Sequence, residues 1–153
     1  MTHKVNVLVD LDEKRSFQGV EQASYATLTY LNAPPGDMTL VLTDNATIQK
    51  MNKQFMDLDQ PTDVLAFPDG DEDLETGRVY FGDVIIAIPF AEDQACQTGN
   101  RLEDELALLS IHGVLHLFGF VHSDPEDREK MWSIQDDILQ QIGCEIVSPR
   151  HTS

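Results

Sequence analysis

His112-Gly113-Val114-Leu115-His116-Leu117-Phe118-Gly119-Phe120-Val121-His122 holds three of the chain's five histidines. Its pattern is H-x-x-x-H-x-x-x-x-x-H. Residues four apart on a helix share a face, so His112 and His116 point the same way. Gly119 lies three residues after His116, where a helix can stop through a left-handed residue. The turn there can bring His122 back toward the other two. Three neutral imidazoles with one open position make a catalytic zinc-type site.

The surroundings are apolar: Leu106, Leu108, Leu109 and Ile111 before the glycine, Val114, Leu115, Leu117 and Phe118 after it. Three separate core histidines would each have two ring nitrogens to satisfy. A lost hydrogen bond costs about 1–3 kcal/mol per buried group. One metal ion satisfies three ring nitrogens together, so spacing and surroundings jointly favour a metal site. Zinc peptidases of the H-E-x-x-H kind place a glutamate directly after the first histidine as general base. Here that position is Gly113, which can transfer no proton. The H-x-x-x-H-x-x-G-x-x-H spacing is that of metzincin ligands, but the base of a peptidase is missing.

Outward from this block, the rest of the chain alternates strands and helices. Val5 to Asp10 reads as a first strand. Ser16 to Leu31 reads as a helix with Ser16 as N-cap and Val20, Ala23, Thr27, Leu28 and Leu31 at helical spacing. Residues 32–37 form a loop and Met38 to Thr43 a second strand. Asp44 or Thr47 caps a helix carrying Ile48, Met51 and Phe55, and residues 57–62 turn. Val64 to Phe67 is a short strand, placed at a sheet edge because Pro68 ends it. Val79 to Ile88 is apolar enough to be buried on both faces. Pro89 starts a helix, the ligand helix covers Arg101 to Phe118, and a last helix runs from about Asp124 to Ile142. Its apolar stripe is Met131, Ile134, Ile138 and Ile142, with Gly143 after it. Ser123-x-x-Glu126 is a capping box, and Asp124-Pro125 a rival start. The expected fold is α/β (α+β): a single domain over residues 1–153, with a mixed sheet of about four strands, helices around it and a zincin-like three-histidine site.

Composition fits an ordinary globular domain, with 41% hydrophobic and 24% charged residues in 153. Cys96 and Cys144 are far apart and form no C-x-x-C pair. With no signal-like segment in this sequence, they are expected to be reduced cytosolic thiols in a cytoplasmic protein. The most apolar stretch, Leu106 to Val121, is too short to span a bilayer, so no membrane partner is expected. The formal net charge is −17. Phosphate contacts normally rest on Lys and Arg, so a nucleic-acid partner would need a local basic strip. Lys50, Lys53 and Arg78 are the candidates for such a strip, and they read equally well as scattered surface cations.

Three blocks together resemble the YbeY family of metal-dependent endoribonucleases. The three-histidine block matches its signature. Pro61-Thr62-Asp63-Val64-Leu65-Ala66-Phe67-Pro68 is similar to its P-T-[DN]-V-L-S-F-P, and Phe81-Gly82-Asp83-Val84-Ile85-Ile86 to its L-G-D-I-x-I strand. The resemblance implies single-strand-specific RNA hydrolysis in small-subunit ribosomal RNA maturation and ribosome quality control. It implies one divalent ion per chain, zinc or another transition metal, held by His112, His116 and His122, which act in catalysis through that ion and a water. Single-stranded RNA and the small ribosomal subunit would be the partners. The chain departs from the family pattern at three places. Val121 replaces an aspartate, Ala66 replaces a serine, and Met56 stands where the segment N-x-x-[YF]-R carries an arginine. Lys50, Lys53 and Met56 are therefore the possible substrate contacts. Other readings are a ribosome-assembly factor with a mainly structural metal, and a metallohydrolase of peptide or amide bonds.

Several other groups have plain structural roles to weigh. His3 and His151 lie near the ends of the sequence. Asp69-Gly70-Asp71-Glu72-Asp73 faintly resembles a calcium loop but has Leu74 where glycine is needed, so a solvated hairpin loop is expected. Asp83 is expected to be structural. Glu105 is a weak general-base candidate, since two helical turns put it about 10 Å from His112.

Overall fold

The computed structural model describes residues 2–12, 15–121, 123–144 and 146. Four strands and five helices follow in the order β1 (His3–Val9), α1 (Gln18–Tyr30), β2 (Gly36–Thr43), α2 (Asn45–Met56), β3 (Val64–Pro68), β4 (Val79–Ala87), α3 (Ile88–Thr98), α4 (Leu102–Leu117) and α5 (Pro125–Gln141). The sheet order is β1-β2-β4-β3. β1, β2 and β4 are parallel, and β3 runs antiparallel to β4. This is the expected mixed four-stranded sheet among helices, with the proline-ended strand at an edge.

Alternation along the strands sorts the helices to two faces. Val84 and Ile86 of β4, and Met38, Leu40 and Leu42 of β2, join Leu106, Leu109, Val114 and Leu117 of α4. Ile85 and Ala87 point the other way and pack with Leu65 of β3 and Ile48 of α2. β4 therefore carries a helix on each face, as its unbroken apolar run requires. Behind α4 lies a second cluster, in which Ala107, Leu108, Ile111 and Leu115 meet Ala23 of α1 and Met131, Ile138 and Leu139 of α5. Thus α4 is wedged between the sheet and α5, which explains why its sequence is apolar nearly all round.

Element ends follow local chemistry, with some corrections to the sequence reading. Asp44, not Thr47, caps α2: its Oδ1 accepts from the Thr47 amide at 2.7 Å. Asp124, not Ser123, caps α5 by accepting from the Asp127 amide at 2.8 Å. The expected N-cap Ser16 does not act. α1 starts after Phe17, which makes no side-chain cap bond and instead packs on the core. Burying that ring fixes where the chain joins the helix more strongly than one hydroxyl bond would. β1 and β2 each begin two residues earlier than expected, because parallel pairing extends from His3↔Gly36 onward. Ile88 opens α3 rather than closing β4, with Pro89 in its first turn.

α4 approaches the sheet at Gly113. A Cβ built there would lie 2.5 Å from Val84 Cγ1, 3.1 Å from Val84 Cγ2 and 3.4 Å from Val64 Cγ2. Val84 is fully buried on the central strand, and valine is stiff about χ1, so it cannot swing away. Gly113→Ala should therefore destabilise the fold, although alanine is the better helix former. Overpacking costs about 1–3 kcal/mol against roughly 1 kcal/mol regained in helix propensity. A drop of a few degrees in Tm is expected. A variant that melts at or above the wild-type temperature would show that the helix can back away freely.

Candidate metal centre

α4 ends in a hydrogen-bonded turn. The Gly119 amide donates to His116 O and the Phe120 amide to Leu115 O, both at 3.1 Å, with Gly119 at φ 87°. This is a Schellman closure, and it places glycine where a side chain would be strained. The expected helix stop at Gly119 is thus present. The chain then passes to Asp124, and α5 folds back onto α4.

His112 and His116 lie on the flank of α4 between its sheet face and its α5 face. Both rings are half-buried. Their Nε2 atoms are 3.0 Å apart, with ring centroids at 4.5 Å and planes at 76°. Two imidazole nitrogens this close need a proton or a cation between them, because otherwise two lone pairs face each other. Paired imidazole nitrogens suit zinc, copper, iron or nickel. The donor set therefore fits a divalent ion, and His112 and His116 are the residues that would hold it. His122, the expected third ligand, lies outside the described residues, as does His151. Among the described residues no group of three His, Cys, Asp or Glu side chains gathers.

Gln135 of α5 is the residue that sequence reasoning missed. It is buried, and its Oε1 lies 2.7 Å from His112 Nδ1. A signal existed: Met131, Gln135, Ile138 and Leu139 sit at i, i+4, i+7 and i+8, so a polar residue interrupts the buried stripe of α5.

The other candidates sort as follows. Asp83 is structural, as expected: Tyr80 donates to its carboxylate and also contacts Thr39, on the sheet face opposite α4. Asp63 ties β3 to its neighbours, since its Oδ1 accepts from the Val64 amide at 2.8 Å and its Oδ2 from Gln94 Nε2 at 3.3 Å. Glu105 is buried in the first turn of α4, where Asn100 Nδ2 approaches its carboxylate at 3.4 Å. Two turns from His112, it is out of reach as a general base. Residues 69–77 form an exposed loop stitched by Asp69 and Asp73 accepting from backbone amides two residues on. His3 Nε2 contacts Ala33 O at 2.9 Å. Cys96 and Cys144 are both free thiols.

Lys50 and Lys53 are exposed on α2, across the sheet from α4, and Lys53 Nζ lies 3.9 Å from the Asp59 carboxylate. Met56 ends α2 and is 55% exposed, beside Phe55 at 56%. Phe55 meets Phe67 of β3 edge-on at 5.1 Å, so β3 links the end of α2 to the strand face that α4 covers. Arg78 is committed elsewhere: it pairs with Asp37 at 2.8 Å and donates to Gly36 O at 3.0 Å. No helix among the described residues is long and apolar enough to cross a membrane.

Known proteins of this shape bear on the site. A family model described as Endoribonuclease YbeY matches residues 3–143. The endoribonuclease YbeY of Rhodococcus erythropolis is 38% identical over 115 residues, covering 71% of this chain and 64% of that protein. That of Mycolicibacterium paratuberculosis is 38% identical over 125 residues, covering 77% and 71%. That of a Sulfurihydrogenibium species is 40% identical over 120 residues, covering 78% of each. The chain thus spans just under two thirds of the length of the first of these relatives and somewhat more of the other two. The solution structure of TM1509 from Thermotoga maritima superposes with a TM-score of 0.57 over 97% of this chain and 96% of that one. At 24% identity that likeness concerns the fold.

Burial, foremost, pushes the Glu105 carboxyl above its ordinary value, and the nearby Asp63 charge adds to the shift while Asn100 opposes it. A raised acid pKa means that the folded state holds the proton more tightly than the unfolded chain does. The stabilising contribution is then complete below the ordinary glutamate value of about 4.3 and is lost as pH rises through the folded value. Glu105→Gln should therefore raise Tm at pH 7 to 8, with the gain fading toward pH 4. A loss of stability that is larger at pH 7 to 8 than at pH 4 would show that hydrogen bonding to the carboxylate outweighs its burial.

Proposed function

Because the chain belongs to the YbeY family of endoribonucleases, we propose that this protein is a metal-dependent hydrolase that cuts single-stranded RNA. Its task in this reading is maturation of small-subunit ribosomal RNA and ribosome quality control, in the cytoplasm, with the small ribosomal subunit as partner. One domain over residues 1–153 carries the activity. The observation that carries the reading is the convergence of His112 and His116 Nε2 at 3.0 Å on the one polar flank of an otherwise apolar helix. His122, six residues after His116 and beyond the Gly119 turn, is the third ligand. Zinc is the favoured ion, with other transition metals as alternatives.

When bound, such an ion would activate a water for attack on phosphorus and offset charge on the phosphoryl oxygens. The chain's own part is to hold two imidazoles rigidly at a fixed separation, which the wedging of α4 between sheet and α5 accomplishes. Lys50 and Lys53 would meet phosphates of the bound strand as it rounds the β3 edge, and Met56 would supply apolar contact where an arginine would pair with phosphate. A peptidase is not favoured. Gly113 stands where its glutamate base would be, and the space there is closed by Val84. A mainly structural metal is not favoured either, since the relatives are endoribonucleases by name.

His116→Ala should abolish stoichiometric metal content, read by elemental analysis of purified protein; occupancy equal to wild type would sink the site as drawn. On wild-type protein loaded with Zn²⁺, chelator should lower Tm at neutral pH. The effect should shrink at pH 5, below the reference histidine value of about 6.5, because protonated imidazole cannot bind metal.

Met56→Arg should raise cleavage of single-stranded RNA. The position is exposed, so the added ionic contact is worth about 0.2–1 kcal/mol, a gain of up to about fivefold in kcat/KM. Cleavage must vanish in His112→Ala, which excludes contaminating nuclease. No change on Met56→Arg would place the end of α2 away from the RNA path.

A further inference from the structure

Gln135 is 1% exposed, deep in the contact between α5 and α4. An amide in such a place is costly unless it is hydrogen-bonded. Its Oε1 lies 2.7 Å from Nδ1 of His112. An amide oxygen only accepts, so Nδ1 carries the proton and donates. Neutral imidazole has one N–H, which leaves Nε2 of His112 as the lone-pair nitrogen. That is the atom 3.0 Å from Nε2 of His116. A free neutral histidine side chain favours the opposite form, with its proton on Nε2. In that form the proton would sit where an ion has to bind.

We propose that Gln135 is a positioning residue of the metal centre: through the Nδ1–H···Oε1 bond it fixes the tautomer and the ring plane of His112, so that Nε2 stands ready as a ligand. The proposal rests on the metal reading above and concerns how the ligand is prepared. It also gives the site a particular character. Ligand histidines are commonly held by carboxylates, which raise their basicity. A neutral amide fixes the same geometry without adding negative charge beside the ion. The ion then keeps more of its own charge for phosphoryl oxygens. In a chain of net charge −17, sparing one more buried carboxylate next to the centre favours an anionic substrate.

Two neighbouring features fit this role. Met131 and Ile138 flank Gln135 on the same helical stripe and are fully buried, so the amide is clamped and cannot exchange its partner for bulk water. The bond also crosses between two helices, so His112 is oriented by an element other than its own.

The test uses the full chain. In metal-free wild type with ¹⁵N-labelled histidine, at about pH 8 where imidazoles are neutral, long-range proton–nitrogen correlations should report His112 as the Nδ1–H form. Gln135→Leu should lose that signature and bind Zn²⁺ about 10- to 100-fold more weakly in competition titrations. Gln135→Glu, which keeps an acceptor in place, should retain both the signature and the binding. The proposal is overturned if wild-type His112 carries its proton on Nε2, the state a reversed amide would impose; this reading needs no variant to fold. It is also overturned if folded Gln135→Leu binds Zn²⁺ as tightly as wild type. Failure of wild type itself to bind Zn²⁺ would remove the metal reading, and with it the role of Gln135, and is distinguishable because it appears before any substitution.

Discussion

The contact of Gly113 with Val84 and Val64 sets the geometry on which the rest depends. Because the helix backbone lies against the sheet at that point, α4 has one rotation about its axis that fits. With that rotation, Leu106, Leu109 and Leu117 enter the sheet-side core and Leu108, Ile111 and Leu115 the core behind. His112 and His116 are then left on the flank between. The same contact decides the chemistry by exclusion. A glutamate following the first histidine would have to push its Cβ against Val84, so the packing disfavours the carboxylate base of a zinc peptidase at that position.

The sheet supports that contact from both sides. Val84 is immobile because β4 is the central strand, paired to β2 and β3 and covered on each face. β3 contributes Val64 to the α4 side and Phe67 to the α2 side, so a five-residue edge strand touches both α4 at Gly113 and the end of α2. Part of the strong negative charge stands in the exposed 69–77 loop and in Glu103 and Asp104 in the first turn of α4, where negative charge is favoured by the helix dipole. Salt screens such exposed charges beyond about 10 Å at 0.1 M, so their repulsion of RNA is an ionic-strength effect rather than a bar to binding.

Features set by local rules were legible in the sequence. The i, i+4 spacing put two histidines on one face, Gly119 ended the helix in a left-handed turn, Pro68 marked an edge strand, and the apolar run at 79–88 marked a strand buried on both faces, one residue longer than β4. What escaped was non-local. Nothing near Gln135 in the chain says that it meets a ring twenty-three residues earlier. Gly113 reads as the lack of a base, and its steric role appears only when β4 is placed against it. Ser16 obeyed the capping rule and still lost to Phe17, because burial of a ring outweighs a single surface hydroxyl bond. Arg78 looked available to phosphate and is spent on Asp37. Met56 is placed, yet its use depends on a ligand that the fold alone does not position.

The centre is assembled from parts that are individually weak. α5 is polar over most of its surface and adheres through Met131, Ile138 and Leu139. The link from Phe118 to Asp124 is exposed or half-buried wherever it is described. Its course is directed by two short devices, the Gly119 turn and the Asp124 cap. In the proposed reading, an ion held by His112 and His116 would bind the folded arrangement and not the open chain, so it would stabilise that arrangement, with the α4–α5 contact at His112, by mass action. The reverse would hold as well, since Gln135 Oε1 of α5 lies 2.7 Å from His112 Nδ1. In the proposed reading, ligand preparation and helix docking would be one equilibrium seen from two ends. If the proposed centre binds metal, a substitution in α5 far from any reacting atom would weaken that binding, and loss of metal would loosen α5, without either touching the sheet that anchors α4.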